Sequence, residues 1–329
     1  MNSHSSLRWL AKPAAAILLL LALFVPPSVL AQSAFPSRPV TLIVPIAAGS
    51  AVDSVARVIA QKVGENWGHQ ILVENRPGAS AAIGMEMAAK AAPDGYTLVI
   101  AGTSQLLSPL VSKVRFDIMR DFTPVALSGS LPYVLAVPNT LPVKSLRELV
   151  DLAKSRPGKL NYAALTGSVP HFMGEAFKTA RGIDVMMVPY NSTSDAQADV
   201  VSGRVEIWLT PMTTALPLLK SDRVKILGIT GNSRSTALPD VPTMAEAGFP
   251  ELDVNVGLFI LAPVGSPKSI VTVLSNEIQK ALDSKDVKTR LVTAGVEPVS
   301  STPAELEALL KSESLRWSII AKSSGFRPQ

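Results

Sequence analysis

Three stretches of this chain place glycine and hydroxyl residues where a β-branched run gives way to a helical pattern. The first is Ile46-Ala47-Ala48-Gly49-Ser50, with Asp53 one turn further on. The second is Thr166-Gly167-Ser168-Val169-Pro170-His171, and the third Tyr190-Asn191-Ser192-Thr193-Ser194-Asp195. A helix N-terminus offers unpaired N–H groups and about half a positive charge, so such loops can hold a carboxylate or phosphate without Lys or Arg. Gly49 lets the backbone approach a ligand, and Ser50 can either cap its helix or donate to an anion. Thr166, Ser168, Asn191 and Thr193 add side-chain donors, and Thr103, Ser104 and Gln105 can contribute from a further strand end.

Chemistry beyond binding lacks its parts. There is no cysteine, which removes thiolate nucleophiles, zinc-thiolate sites and disulfides together. Apart from His4, the only histidines are His69 and His171, about a hundred residues apart and without a metal-ligating companion at helical spacing. No G-x-S-x-G, G-x-x-x-x-G-K-[ST] or G-x-G-x-x-G string occurs. The 26 acidic residues include no spacing that singles out a catalytic pair. No catalytic residue, metal site or cofactor is therefore assigned.

Residues 1–31 read as a cleaved signal peptide. Arg8 and Lys12 form the positive region, Ala14 to Val25 is continuously apolar, and Val29-Leu30-Ala31 supplies a cleavage site before Gln32. Twelve apolar residues span roughly 18 Å at ~1.5 Å each, short of a ~30 Å hydrocarbon core. The remainder carries 29 basic and 26 acidic side chains, interspersed and without a basic run. That argues against nucleic acid as partner.

The elements that must position these loops follow a strand–helix alternation. Val40 to Val44 reads as a buried strand, and Val52, Val55, Ala56, Ile59 and Val63 as the inner face of the next helix. Ser145-Leu146-Arg147-Glu148 is a capping box. Short strands are expected at Leu160 to Ala163, Val185 to Val188, Val205 to Leu209 and Lys225 to Thr230, and helices dominate after Pro267. About 300 residues fit two α/β lobes better than one. The apolar runs Tyr133 to Val137 and Val254 to Ala262 are read as the crossings between lobes. Residues 32–133 with 259–329 then form lobe 1, and 134–258 form lobe 2, with the C-terminal helices packed back on lobe 1.

Five strings in register resemble a known family. They are Glu74-Asn75-Arg76-Pro77-Gly78-Ala79, Ala91-Ala92-Pro93-Asp94-Gly95-Tyr96-Thr97-Leu98, Pro157-Gly158-Lys159-Leu160-Asn161-Tyr162, the run Leu238 to Gly248 (LPDVPTMAEAG) and Leu261-Ala262-Pro263. They resemble the periplasmic solute-binding proteins of tripartite tricarboxylate transporters, the Bug family, in order from Phe35 to the C-terminus. The resemblance implies a two-lobed periplasmic binding protein of type II-like fold, with two crossing strands as hinge. It implies a protein that closes on a small organic carboxylate and delivers it to a two-subunit membrane transporter; the signal peptide and the absence of cysteine lead to the expectation of a soluble periplasmic monomer beginning near Gln32. It also implies that the first loop, partly through water, and the loop ending Gly167-Ser168-Val169-Pro170-His171 clamp the ligand.

Departures from the family pattern fall around the cleft. Gly49-Ser50-Ala51-Val52-Asp53 has one glycine where two are usual, and Leu165-Thr166 lacks a usual glycine. Thr210 stands where Asp is frequent, and Gly257 where an aromatic is frequent. Loss of an acid disfavours a ligand ammonium group. Loss of an aromatic is expected to open volume, which favours an aromatic dicarboxylate, with a C4 to C6 aliphatic diacid as second choice. A sensory receptor for a carboxylate and an enzyme on the same fold are the alternative functions.

Overall fold

Strand β1 (Val40–Val44) is built of Val, Thr, Leu and Ile and is buried at four of five positions, as a central parallel strand covered on both faces must be. Helix α1 (Ala51–Trp67) begins where Ser50 Oγ accepts from Asp53 N and ends at Gly68 in the left-handed region. Then follow β2 (Ile71–Asn75), α2 (Ala82–Ala89), β3 (Thr97–Gly102), α3 (Thr103–Val111), α4 (Ile118–Asp121) and β4 (Phe122–Ser130). The second series is β5 (Tyr133–Pro138), α5 (Leu146–Ser155), β6 (Leu160–Leu165), α6 (Val169–Arg181), β7 (Val185–Tyr190), α7 (Thr193–Val201), β8 (Ile207–Pro211), α8 (Met212–Lys220) and β9 (Val224–Ile229). The chain closes with β10 (Gly257–Pro263), α9 (Lys268–Asp283), α10 (Lys285–Thr293) and α11 (Pro303–Ser323). Helices α3 and α8 contain Pro109 and Pro217, which lack the amide a helix interior uses and so obscure the helical signal in the sequence.

This computed structural model describes residues 35–231, 233–254 and 256–323. The expected signal peptide lies outside them. The fold is that of the unit beginning at Arg38. Among the described residues no helix is long and apolar enough to cross a membrane.

The strands form two five-stranded mixed sheets, ordered β2-β1-β3-β10-β4 and β7-β6-β8-β5-β9. In the first, β1 runs parallel to β2 and β3, and β10 is antiparallel to β3 and β4. In the second, β6 runs parallel to β7 and β8, and β5 is antiparallel to β8 and β9. Each sheet thus takes in, at its fourth position, one antiparallel strand adjoining a crossing. These are the two lobes of a mixed α/β protein.

The crossings differ from the expectation in one respect. Both apolar runs form strands, but β5 pairs only within the second sheet and β10 only within the first. The chain crosses beside them, at Leu131–Pro132 and just ahead of β10; residues 233–254 stay with the second lobe, where Thr243 bridges to Ile229, and Leu238, Met244, Phe249 and Leu252 are core residues. A fully paired strand is tied to its own sheet, so the change of lobe falls in the short links outside the strands. Leu131 N donates to Val256 O at 2.8 Å and joins the two links. Helix α11 also departs from the expected packing on lobe 1 alone. Leu306 and Leu310 lie in the core against the first sheet, whereas Trp317 and Ala321 lie in the core of the second, with the Phe172 and Trp317 ring centroids 6.2 Å apart. At ~1.5 Å per residue, a 21-residue helix spans roughly 30 Å and can reach both cores.

Candidate ligand cleft

The hydroxyl-rich loops converge in part. A cavity of about 420 Å³ is walled on one side by the first turns of α3, with Ser104, Gln105 and Ser108, and on the other by Leu165, Thr166, Gly167 and Ser168 at the start of α6. Two helix N-termini, one from each lobe, therefore share a single space, with no Lys or Arg on its wall. Gly167 holds φ at +75°, and a Cβ there would stand 3.1 Å from Val111 Cβ at the end of α3, so only glycine lets the two lobes approach this closely.

Sequence reasoning overlooked Ser80, which also lines this cavity. Its signal was backbone conformation: Ala79, Ser80 and Ala81 all have positive φ, at 46°, 52° and 78°. Each such non-glycine residue costs roughly 1–3 kcal/mol, and strain of this kind collects at ligand clamps. No residue pattern announces it.

A smaller cavity of about 130 Å³ continues from the first, sharing Leu165 and Ser168 with it. Tyr133, Thr193, Trp208 and Thr210 line it. Thr210 is 1 % exposed, and its Oγ1 has no hydrogen-bond partner. Burial pushes the Tyr133 phenol up to about 12, so it stays a neutral donor at physiological pH.

Several expected ligand contacts are committed elsewhere. Asp53 is 3 % exposed, and its Oδ2 accepts from Gly49 N at 2.9 Å and Arg57 Nε at 3.0 Å. Its carboxylate is thus tied to the backbone and side chains that hold the first loop. Ser50 Oγ caps α1, accepting from Asp53 N at 3.2 Å. Ile46, Ala47, Ala48 and Gly49 lie on a partly or fully exposed loop, and none of them lines either cavity.

The second loop is partly self-satisfied. Gly167 N donates to His171 Nδ1 at 3.1 Å, Ser168 N to Leu165 O at 3.1 Å, and Ser168 Oγ to Leu165 O at 2.6 Å. The amides of Gly167 and Ser168 are thus already spent within the turn. Burial lowers the His171 pKa, with nearby Glu175 opposing and Lys178 assisting, so His171 is neutral and holds the loop. Gln105 Oε1 accepts from Gly102 N at 2.8 Å and fixes the start of α3.

The third loop contributes least. Tyr190 donates its hydroxyl to Asp199 Oδ2 at 2.8 Å, and burial together with that carboxylate pushes its pKa up to about 12. Asn191 is exposed and lines neither cavity, which leaves Thr193 as the contributor of that segment. Gly257 opens no volume. A Cβ there would lie 2.5 Å from the Phe259 ring and 3.0 Å from Leu127, so neighbouring side chains already fill the space. Among the described residues no group of three or more His, Cys, Asp or Glu could hold a metal ion.

A two-lobed α/β molecule with a hydroxyl-lined cavity between its lobes is a solute-binding protein in architecture. The model of the tripartite tricarboxylate transporter family receptor matches residues 55–326, and the chain belongs to that family. It is similar to protein BugT of Bordetella pertussis, 33 % identical over 295 residues, covering 88 % of this chain and 90 % of that one. Among solved structures it is similar to Rpa4515 of R. palustris with adipate, 32 % identical with a TM-score of 0.75, covering 90 % of this chain and 100 % of that one. It is also similar to MatC of Rhodopseudomonas palustris with bound malate, 33 % identical with a TM-score of 0.70, covering 87 % of this chain and 100 % of that one.

Proposed function

We propose that the protein is a periplasmic receptor, exported through residues 1–31, that captures a small organic dicarboxylate between its lobes and delivers it to a two-subunit membrane transporter. The observation that carries this reading is the cavity shared by the first turns of α3 and the start of α6. Carboxylate charge there meets helix N-termini and the hydroxyls of Ser80, Ser104 and Thr166. The adipate and malate bound by relatives at 32–33 % identity support the ligand class.

An aliphatic diacid fits better than an aromatic one, because Gly257 yields no extra room and the inner cavity is small. Thr210 Oγ1, buried and unpaired at the inner end, is the hydroxyl for the second carboxylate. Lobe 1 comprises residues 38–131 with the chain from Gly257 through the first half of α11, lobe 2 runs from Tyr133 to Val254 with the second half of α11 packed on it, and closure bends the two crossings.

Calorimetry on the mature protein with adipate, malate, succinate, phthalate and aspartate tests this. Binding of one or more aliphatic diacids, with compaction by small-angle scattering, is expected. Binding of aspartate alone, or of no carboxylate, would overturn it.

A further inference from the structure

His171, in the first turn of α6, is 8 % exposed and lines neither cavity of the cleft. Its connection to the cleft runs through Gly167. Gly167 N donates to His171 Nδ1 at 3.1 Å, and Phe172 stacks on the imidazole with ring centroids 5.4 Å apart. On its other side Gly167 meets Val111 of α3, where even a Cβ would stand only 3.1 Å from Val111 Cβ. The glycine beside exposed Thr166 is therefore held between a brace in its own lobe and a wall in the opposite lobe.

We propose that His171 is a positioning residue of the cleft: its unprotonated Nδ1 fixes Gly167, and with it Thr166, in the conformation that receives a carboxylate, and protonation of the ring releases the ligand. This rests on the dicarboxylate reading of the cleft. An imidazole nitrogen accepts a hydrogen bond only while it carries no proton, so an imidazolium presents a donor to the donor of Gly167. Val111 leaves Gly167 no room to move across the cleft, so relief of that clash must open the turn.

The surroundings of the ring favour its neutral form. Burial is the largest influence and lowers the His171 pKa below its ordinary ~6.5, with Glu175 opposing and Lys178 assisting. The Glu175 carboxylate is already engaged, since it accepts from Tyr162 of β6 at 2.6 Å and stands 3.5 Å from Lys178 Nζ. β7 brings Tyr190, committed to Asp199, and the turn Pro250–Leu252 brings Glu251, paired with Arg181 at the far end of α6. Beside Trp317, α11 brings Glu313 and Arg316, 4.0 Å apart. β8 and α3 carry no titratable side chain.

The sign of the pH dependence follows. The ring is neutral at pH 7 and gains its proton only below the ordinary imidazole value of ~6.5, so affinity is level above that value and declines beneath it. A bound dicarboxylate by itself pulls the other way, because an anion favours an imidazolium. A histidine that acted by charge alone would thus bind the ligand more tightly in acid.

Calorimetric titration of the mature chain with adipate and with malate, from pH 7.5 down to pH 5, tests this in the parent, His171→Asn and His171→Leu. The asparagine Oδ1 can take the place of Nδ1 as acceptor but does not titrate. At pH 7.5 His171→Asn is expected to bind within about twofold of the parent, and His171→Leu to raise Kd about tenfold. In acid the parent should lose affinity relative to His171→Asn, a ratio in which protonation of the ligand itself cancels. Only His69 and His171 remain after residue 31, so NMR of the imidazole C–H signals, assigned with His69→Gln, reads the His171 titration directly. Ligand should lower that pKa further, and if His171→Leu fails to fold, the asparagine profile and the NMR titration decide. Equal loss in acid for the parent and His171→Asn, tighter binding in acid, or unchanged Kd in folded His171→Leu would overturn the role. Absence of carboxylate binding by the parent at every pH would instead overturn the dicarboxylate reading. The brace is then judged on the ligand-free titration, where a His171 pKa at or above ~6.5 overturns it.

Discussion

Asn75 Nδ2 donates to Asp53 Oδ1 at 2.9 Å, joining the end of β2 to the first turn of α1. The same nitrogen reaches Ile46 O at 3.2 Å, and Arg57 Nη2 donates to Asn75 Oδ1 at 2.9 Å. The first loop is therefore held by its own helix and the neighbouring strand, and its shape precedes any ligand.

Asp53→Asn is expected to destabilise the protein by about 1.5–3 kcal/mol at pH 7, the range for a hydrogen bond to a charged group. Burial would raise the Asp53 pKa, but Arg57, Gly49 and Asn75 together hold it below the usual carboxylate value. Its contribution is thus present above the unfolded value of ~3.9 and lost as pH falls through the lower folded value. Urea denaturation at pH 7 and pH 3 checks this, since the gap between the two proteins must narrow in acid.

Thr210→Val should move stability and binding in opposite directions. Removing a buried hydroxyl without a partner stabilises the empty protein by about 1 kcal/mol, while loss of the contact weakens diacid binding roughly tenfold. Thermal melts and calorimetry of one variant read both effects. A loss of stability would mean that Thr210 is satisfied in the empty protein.

Thr166→Ala and Ser168→Ala separate a ligand contact from a loop brace. Thr166 is exposed to the cavity, so its loss should raise Kd about tenfold with little change in melting temperature. Ser168 Oγ is bonded to Leu165 O, so its loss should lower stability by about 1 kcal/mol. Equal affinity of Thr166→Ala and the parent would take that hydroxyl out of the site.

Ala81→Gly relieves a φ of 78° and is expected to raise stability by about 1 kcal/mol, less the entropy that glycine adds to the unfolded chain. Chemical denaturation measures it. Destabilisation would place the residue outside the left-handed region.

Trp317→Ala removes a fully buried ring from the second core and should cost about 3–5 kcal/mol. Because α11 also anchors Leu306 and Leu310 in the first core, calorimetric unfolding of the parent should be one transition. Two resolved transitions would show that the lobes melt independently of the helix.

What could be read from residue order alone was local. The apolar run of β1, the Ser50 cap of α1 and the capping serine of α5 depend on neighbours within a few positions, and periodicity and capping chemistry expose them directly. The resemblance strings place the chain in its family, and the hydroxyls and glycine of the second loop mark it as a candidate site from residue types alone. The partners of each polar atom could not be read in this way. Asp53 looks like a ligand residue until Asn75, 22 positions away, is seen to occupy it. Tyr190 looks available until Asp199 takes its hydroxyl. Gly257 looks like an opening until the Phe259 ring is found in the space. The span of α11 across two cores is likewise set by chain crossings, not by sequence neighbours. Hydrogen-bond satisfaction and packing are properties of three-dimensional neighbourhoods, and only the tertiary fold decides which distant groups share one.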